Sequence, residues 1–222
     1  MTSLVLRNAG PGVTLQDLGR RGYGRWGVTG AGAMDPAALR LAARALGNPP
    51  ETAAIEVSLG GVEVEAEGAT LVVAVVGGAF EVRLDDRRLP SAVVLPLPPG
   101  ARLSIRPGTS GAWATLAVAG EIAVPPVLGS RATHTRSHLG GLDGRALRAG
   151  DRLAIVDPRR PVEAAMALDT TVLDDGRGPI RVMLGPQDDH FDDAAIAAFL
   201  AQSWRLSPRS DRMAYGLDGT PL

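Results

Sequence analysis

The chain has 222 residues, 45% of them hydrophobic and 21% charged, with a formal net charge of -1. That apolar share suffices for a buried core and excludes disorder over most of the length, and the balanced charge gives no sign of a nucleic-acid or anionic-membrane surface. All 23 basic residues are Arg and Cys is absent, so these residues exclude a Walker-type lysine, a Schiff base, attached biotin or lipoyl groups, disulfides and thiolate chemistry.

Glycine (28) and proline (17) punctuate the chain and argue against a helical bundle. The first eight residues lack an apolar signal-peptide core, and the longest apolar run, Leu71–Val76, is strand-sized, so a soluble cytoplasmic protein is expected. Strand signals follow one another: Leu4–Arg7, the alternating Val62–Glu67, the wholly apolar Leu71–Val76, then Phe80–Leu84, Ala92–Leu97, Leu103–Arg106, Trp113–Ala119, Leu153–Val156 and Ile180–Leu184. Two segments break the series. In Met34–Gly47, Leu39, Ala42, Ala43 and Leu46 share a helical face, with Asp35 as N-cap, Pro36 at the first turn and Gly47 at the end. In Asp189–Trp204, Asp188 or Asp189 can cap an Ala-rich run carrying Ile196, Phe199 and Leu200. The composition of Asp157–Gly178 reads as a linker or excursion. A mainly β protein with two short helices is predicted, of barrel or sandwich type.

Gly22-Tyr-Gly-Arg-Trp-Gly27 spells a dinucleotide fingerprint, yet the residues before it are polar and no helix opens at its last glycine, which argues against that fold. Two readings stay open for this loop: a cradle of backbone N–H groups with Arg20, Arg21 and Arg25 supplying charge, or an irregular connection using glycine for left-handed turns. His134 and His138 have the spacing of paired metal ligands on a helix, but the polar, β-branched segment around them predicts none, so hydrogen-bonding or exposed histidines and no metal are expected. Gly129-Ser-Arg-Ala-Thr133 and Ser210-Asp-Arg-Met213 each join hydroxyls to an Arg, suited either to an anion or to a turn.

Gln16-Asp-Leu-Gly-Arg-Arg-Gly-Tyr23, Gly32-Ala-Met-Asp35, Leu46-Gly-Asn48, Ile55-Glu56, Leu116-Ala-Val-Ala-Gly120, Leu128-Gly-Ser-Arg131, Gly150-Asp151, Gly185-Pro-Gln187 and Ser210-Asp-Arg-Met213 run in an order that resembles one family. It is the biotin-dependent carboxyltransferase family, also called allophanate hydrolase subunit 2 or KipA-like, which includes members similar to the C-type subunit of 5-oxoprolinase. Departures are Arg44 where the family has Asn, Glu121 for a second glycine, Ala132 for Ser, and Gly216 for Arg.

The resemblance implies a cyclophilin-like β-barrel over 1–165 and, over 179–222, the start of a second barrel-like domain that is expected to be truncated. It implies a subunit that opens 5-oxo-L-proline to L-glutamate with ATP, with Mg as its companion ion, in complex with a KipI-like B-type subunit and an A-type subunit. Its alternatives are a urea carboxylase-type or allophanate hydrolase-type carboxyltransferase, with biotin arriving on another chain, and a non-catalytic regulator of a KipI-like kinase inhibitor. The motif positions make Arg20, Tyr23, Met34, Asp35, Ser130, Arg131, Gln187 and Arg212 the candidate substrate-binding residues, with Arg20 and Tyr23 on substrate and Arg131 and Arg212 on an anionic group; no catalytic residue is assigned.

Overall fold

The computed structural model describes residues 2–159, 162–173, 179–207 and 209–221. The chain divides into two compact units, Met1–Leu173 and Asp174–Leu222. The first is mainly β. Its strands are β1 (Ser3–Ala9), β2 (Thr14–Gln16), β3 (Ala54–Val57), β4 (Val62–Glu67), β5 (Leu71–Gly77), β6 (Glu81–Leu84), β7 (Arg87–Leu89), β8 (Val93–Leu97), β9 (Arg102–Arg106), β10 (Ala114–Val118), β11 (Glu121–Ile122), β12 (Arg152–Val156) and β13 (Met166–Ala167). One helix, α1 (Pro36–Ala45), interrupts them.

Hydrogen bonds order these strands into two open sheets, β11-β12-β1-β4-β9-β6-β7 and β13-β8-β5-β10-β3-β2. Side-chain alternation explains how they pack. On β4, Val62, Val64 and Ala66 enter the core, while Glu63, Glu65 and Glu67 face out. The outward glutamates meet arginines of neighbouring strands, Glu63 with Arg106 at 2.7 Å and Glu65 with Arg7 at 2.7 Å and Arg102 at 3.3 Å. Such exposed pairs are worth at most about 1 kcal/mol each, so they keep the outer face polar more than they hold the fold.

The main core joins both sheets: Leu4, Leu6, Val64, Val82, Leu103 and Ile105 from the first, and Leu15, Ile55, Val73, Leu95 and Leu116 from the second. The opposite face of the second sheet is apolar too, through Val72, Ala74, Val76, Val94 and Ala117, and α1 covers it with Ala38, Leu39, Ala42 and Leu46. Apolar residues on both faces are what the uninterrupted run Leu71–Val76 demands. The helix starts where predicted: Asp35 caps it, accepting from the Ala38 N–H at 2.8 Å, and Pro36 occupies the first position. Its far end is tied by Asn48, whose amide donates to the Val118 carbonyl at 2.8 Å and accepts from the Gly120 N–H at 3.2 Å.

Three readings change. The stretch read as a linker contributes β13, which pairs with β8, while Val162, Leu168 and Leu173 pack beside α1's core; residues 160–161 and 174–178 of that stretch lie outside the described residues. Ile180–Leu184 forms no strand: its β-rich composition pairs with no other strand, and Ile180 and Met183 are exposed. The second helix, α2 (Asp193–Ala201), is shorter than predicted and is capped by Asp192, not Asp188 or Asp189, which lie in a single 3-10 turn. The second unit adds a hairpin of β14 (Arg205–Leu206) and β15 (Leu217–Asp218), and Trp204 donates to the Phe199 carbonyl at 2.9 Å.

Candidate functional site

Two loops of the first unit are stitched side by side, residues 16–35 and 127–141. Asp17 is the principal stitch. One of its carboxylate oxygens accepts from the Gly19 N–H and the Ser130 hydroxyl, both at 2.7 Å, and the other from the Arg131 N–H at 2.6 Å. Gln16 makes a second: its amide donates to Thr14 Oγ1 at 2.9 Å and the Thr133 carbonyl at 3.1 Å, and accepts from the Gly32 N–H at 3.0 Å. Arg20 makes a third, donating to the Ala132 carbonyl at 2.5 Å and the Val127 carbonyl at 3.4 Å. All three side chains are buried, so each bond closes a group that water cannot reach.

Close approach fixes the glycines at the seam. At Gly140, with φ of +66°, an added Cβ would overlap the Ala132 carbonyl and lie 2.6 Å from Arg20 Nη2. Gly22 and Gly27 also have positive φ, but a Cβ there meets nothing within 4 Å. The Gly22–Gly27 segment is therefore an open tip built on left-handed turns, ending in a single 3-10 turn, Gly24–Trp26, with no α-helix N-terminus to cradle phosphates. Trp26 is 60% exposed there, with the Arg25 guanidinium 3.9 Å above its ring and Tyr23 5.7 Å away.

The structure places the candidate residues in distinct settings. Arg20 is buried, and burial lowers its pKa against the raising effect of Asp17. Tyr23, within the tip, is half-buried. Met34 donates its N–H to Glu56 Oε2 at 2.6 Å, and Asp35 caps α1. Ser130 is buried against Asp17; the Arg131 side chain donates to the Val124 carbonyl at 2.8 Å and pairs with Glu121. These six lie on, or flank, the stitched loops.

Gln187 and Arg212 belong to the second unit. Gln187 is exposed at the start of a 3-10 turn, and burial lowers the pKa of Arg212 against the raising effect of Tyr215. Asp211 accepts from the Met213 and Ala214 N–H groups, so the Ser210–Met213 knot is a side-chain-closed turn.

Asp17, Gln16 and Glu56 organise this region, yet the motif reading assigned them no role. Glu56 sits in β3, where every residue is buried, in register with Thr14 of β2 and Thr115 of β10, also buried. A carboxylate inside an apolar strand is the signal that singles it out. His134 closes a backbone bridge with Leu139 around the 3-10 turn Thr135–Ser137, and the described residues contain no group of three or more His, Cys, Asp or Glu placed to hold a metal.

The model of the carboxyltransferase domain, subdomain A and B, matches residues 26–222. The C-type subunit of 5-oxoprolinase from Escherichia coli (strain K12) is 38% identical over 219 residues, covering 99% of this chain and 69% of that protein. The urea amidolyase of Saccharomyces cerevisiae is 33% identical over 228 residues, covering 98% of this chain and 12% of that protein. In the solved structure of Kluyveromyces lactis urea carboxylase, the matching region superposes with a TM-score of 0.81 at 29% identity, covering 98% of this chain and 20% of that one. The chain thus spans part of the length of each relative.

Proposed function

The chain belongs to the carboxyltransferase-domain family, and on that premise we propose that it is a subunit of an ATP-dependent complex that hydrolyses 5-oxo-L-proline to L-glutamate. The observation that carries this reading is the 38% identity to a C-type subunit of 5-oxoprolinase, which holds over 99% of the chain. The relative's designation as a subunit supports a heteromeric assembly, and we assign the partners to a KipI-like B-type subunit and an A-type subunit.

The chemistry accounts for the ATP. A five-membered lactam is resonance-stabilised and a poor electrophile. Transfer of a phosphoryl group from ATP to its carbonyl oxygen, with ADP leaving, makes the carbon attackable by water. The C–N bond of that adduct then breaks, the nitrogen leaving as the amine, and a second water hydrolyses the resulting acyl phosphate to glutamate and phosphate. The chain offers no lysine and no Gly-rich loop opening an α-helix among the described residues, so a phosphate held here would need Arg side chains, a metal ion or backbone N–H groups. The ATP requirement is assigned to the complex, with Mg accompanying the nucleotide. Dependence on ATP favours a cytoplasmic location, and no described helix is long and apolar enough to cross a membrane. On this reading Arg20 and Tyr23 are assigned to the substrate and Arg131 to an anionic group, with Met34, Asp35 and Ser130 as further binding candidates of the first unit; Gln187 and Arg212, the latter for an anionic group, are the candidates of the second unit.

The 33% identity to urea amidolyase favours a second reading, carboxyl transfer to urea from carboxybiotin held on another chain. Co-expression with the KipI-like and A-type partners distinguishes the two. ATP-dependent release of glutamate from 5-oxoproline supports the first; biotin-dependent incorporation of bicarbonate into urea supports the second. A stable complex with neither activity, which still binds the KipI-like protein, would replace both with a regulatory role.

A further inference from the structure

Among the described residues, two side chains at the loop seam carry buried polar atoms with no hydrogen-bond partner. One is Arg20, 3% exposed, whose Nη1 is unpartnered although its other bonds go to the carbonyls of Val127 and Ala132. The other is His134, both of whose ring nitrogens are buried without a partner. Both are anchored to one short segment. Arg20 Nη2 is held by Ala132 and lies against Gly140, while His134 and Leu139 close the turn between those two residues.

Leaving such groups unmet is costly, more so for a cation than for an imidazole. The hydrogen bonds of nearby Asp17 go instead to Gly19, Ser130 and Arg131. Arg20 and an imidazole that can donate are therefore tied to one segment, and Asp17, although its charge acts on Arg20, forms no hydrogen bond with either. A planar oxyanion with two acceptors suits that combination, and a carboxylate is such a group.

We propose that Arg20 and His134 together hold a carboxylate, which on the hydrolase reading above is the carboxylate of 5-oxo-L-proline. In this arrangement Nη1 of Arg20 donates to one oxygen and a ring N–H of His134 to the other. His134 thereby becomes a binding residue, and the site selects an acidic lactam over neutral urea.

The test is calorimetric binding to the full chain, with 5-oxo-L-proline, its neutral primary amide, acetate and inorganic phosphate as probes, alongside the 15N shifts of the His134 ring. The acid is expected to bind at least about tenfold more tightly than the amide and to move the His134 resonances. His134→Ala is expected to weaken acid binding about tenfold with an unchanged circular dichroism spectrum. Arg20→Gln is expected to do the same; since Arg20 also ties the loops, His134→Ala and the acid–amide pair keep the test meaningful if that variant unfolds.

Equal affinity for acid and amide, an unmoved His134 ring, or His134→Ala binding like wild type would each overturn the proposal. Binding of phosphate alone would overturn the carboxylate assignment. Acetate bound in a His134-dependent way, with no binding of 5-oxoproline, would uphold the carboxylate site and remove the hydrolase reading instead.

Discussion

Replacing Asp17 tests whether the two loops depend on one carboxylate. Its side chain is 7% exposed and accepts three hydrogen bonds, from Gly19, Ser130 and Arg131. Asp17→Ala removes all three and strands two backbone N–H groups and a hydroxyl. Charge-assisted bonds are worth about 1.5–3 kcal/mol singly, but coupled losses do not add, so a total of about 4 kcal/mol is expected. For a chain of this size that lowers the melting temperature by about 10 °C. Asp17→Asn keeps the oxygen for Gly19 and Ser130 but turns an amide donor toward the Arg131 N–H, at a cost of about 2 kcal/mol. The assay is thermal and urea unfolding, with trypsin cleavage at Arg21, Arg25 and Arg136 reporting on the loops, all three being exposed. Both variants melting within about 2 °C of wild type, with an unchanged cleavage pattern, would refute the stitching role.

Further outcomes follow from the same contacts. Gly140→Ala, whose Cβ meets Ala132 and Arg20, should cost about 3 kcal/mol, whereas Gly27→Ala, where φ is +75° but space is open, should cost about 1 kcal/mol; unfolding midpoints compare them. Burial alone would raise the Asp151 pKa, but hydrogen bonds from the Arg145 fork and the Arg148 N–H outweigh it and hold the group below its ordinary 3.8. A depressed folded-state pKa contributes stability that is present above the unfolded value and is lost as pH falls through the folded one, so acid unfolding below about pH 4 should be blunted in Asp151→Asn; an unchanged acid limb in urea titrations would contradict this.

Local physics made much of the fold legible. The alternation of Val62–Glu67, the doubly apolar Leu71–Val76 and the capped Asp35–Pro36 start each carry their own instruction, and each forms as read. β2 and β3 were not legible, because Thr14, Gln16 and Glu56 place polar side chains in buried strands and break the apolar pattern. Ile180–Leu184 misled in the opposite sense, since β-propensity supplies no partner strand. At the site, motif order picked out both loops but not their fastening. Asp17 meets Ser130 113 residues away and Arg20 meets Ala132 112 residues away, separations that leave no local signature. His134 drew attention for its spacing to His138, whereas the structure distinguishes it by two buried nitrogens without partners.

The central claim, that this chain is a working part of a lactam-opening complex, is tested most directly by omission. Glutamate release from 5-oxo-L-proline is measured with the KipI-like and A-type partners, ATP and Mg, with and without this chain. The account predicts ATP-dependent glutamate only when the chain is present, at a rate that saturates as it reaches stoichiometry with its partners. The same rate without it, or none when all components are assembled, would contradict the account.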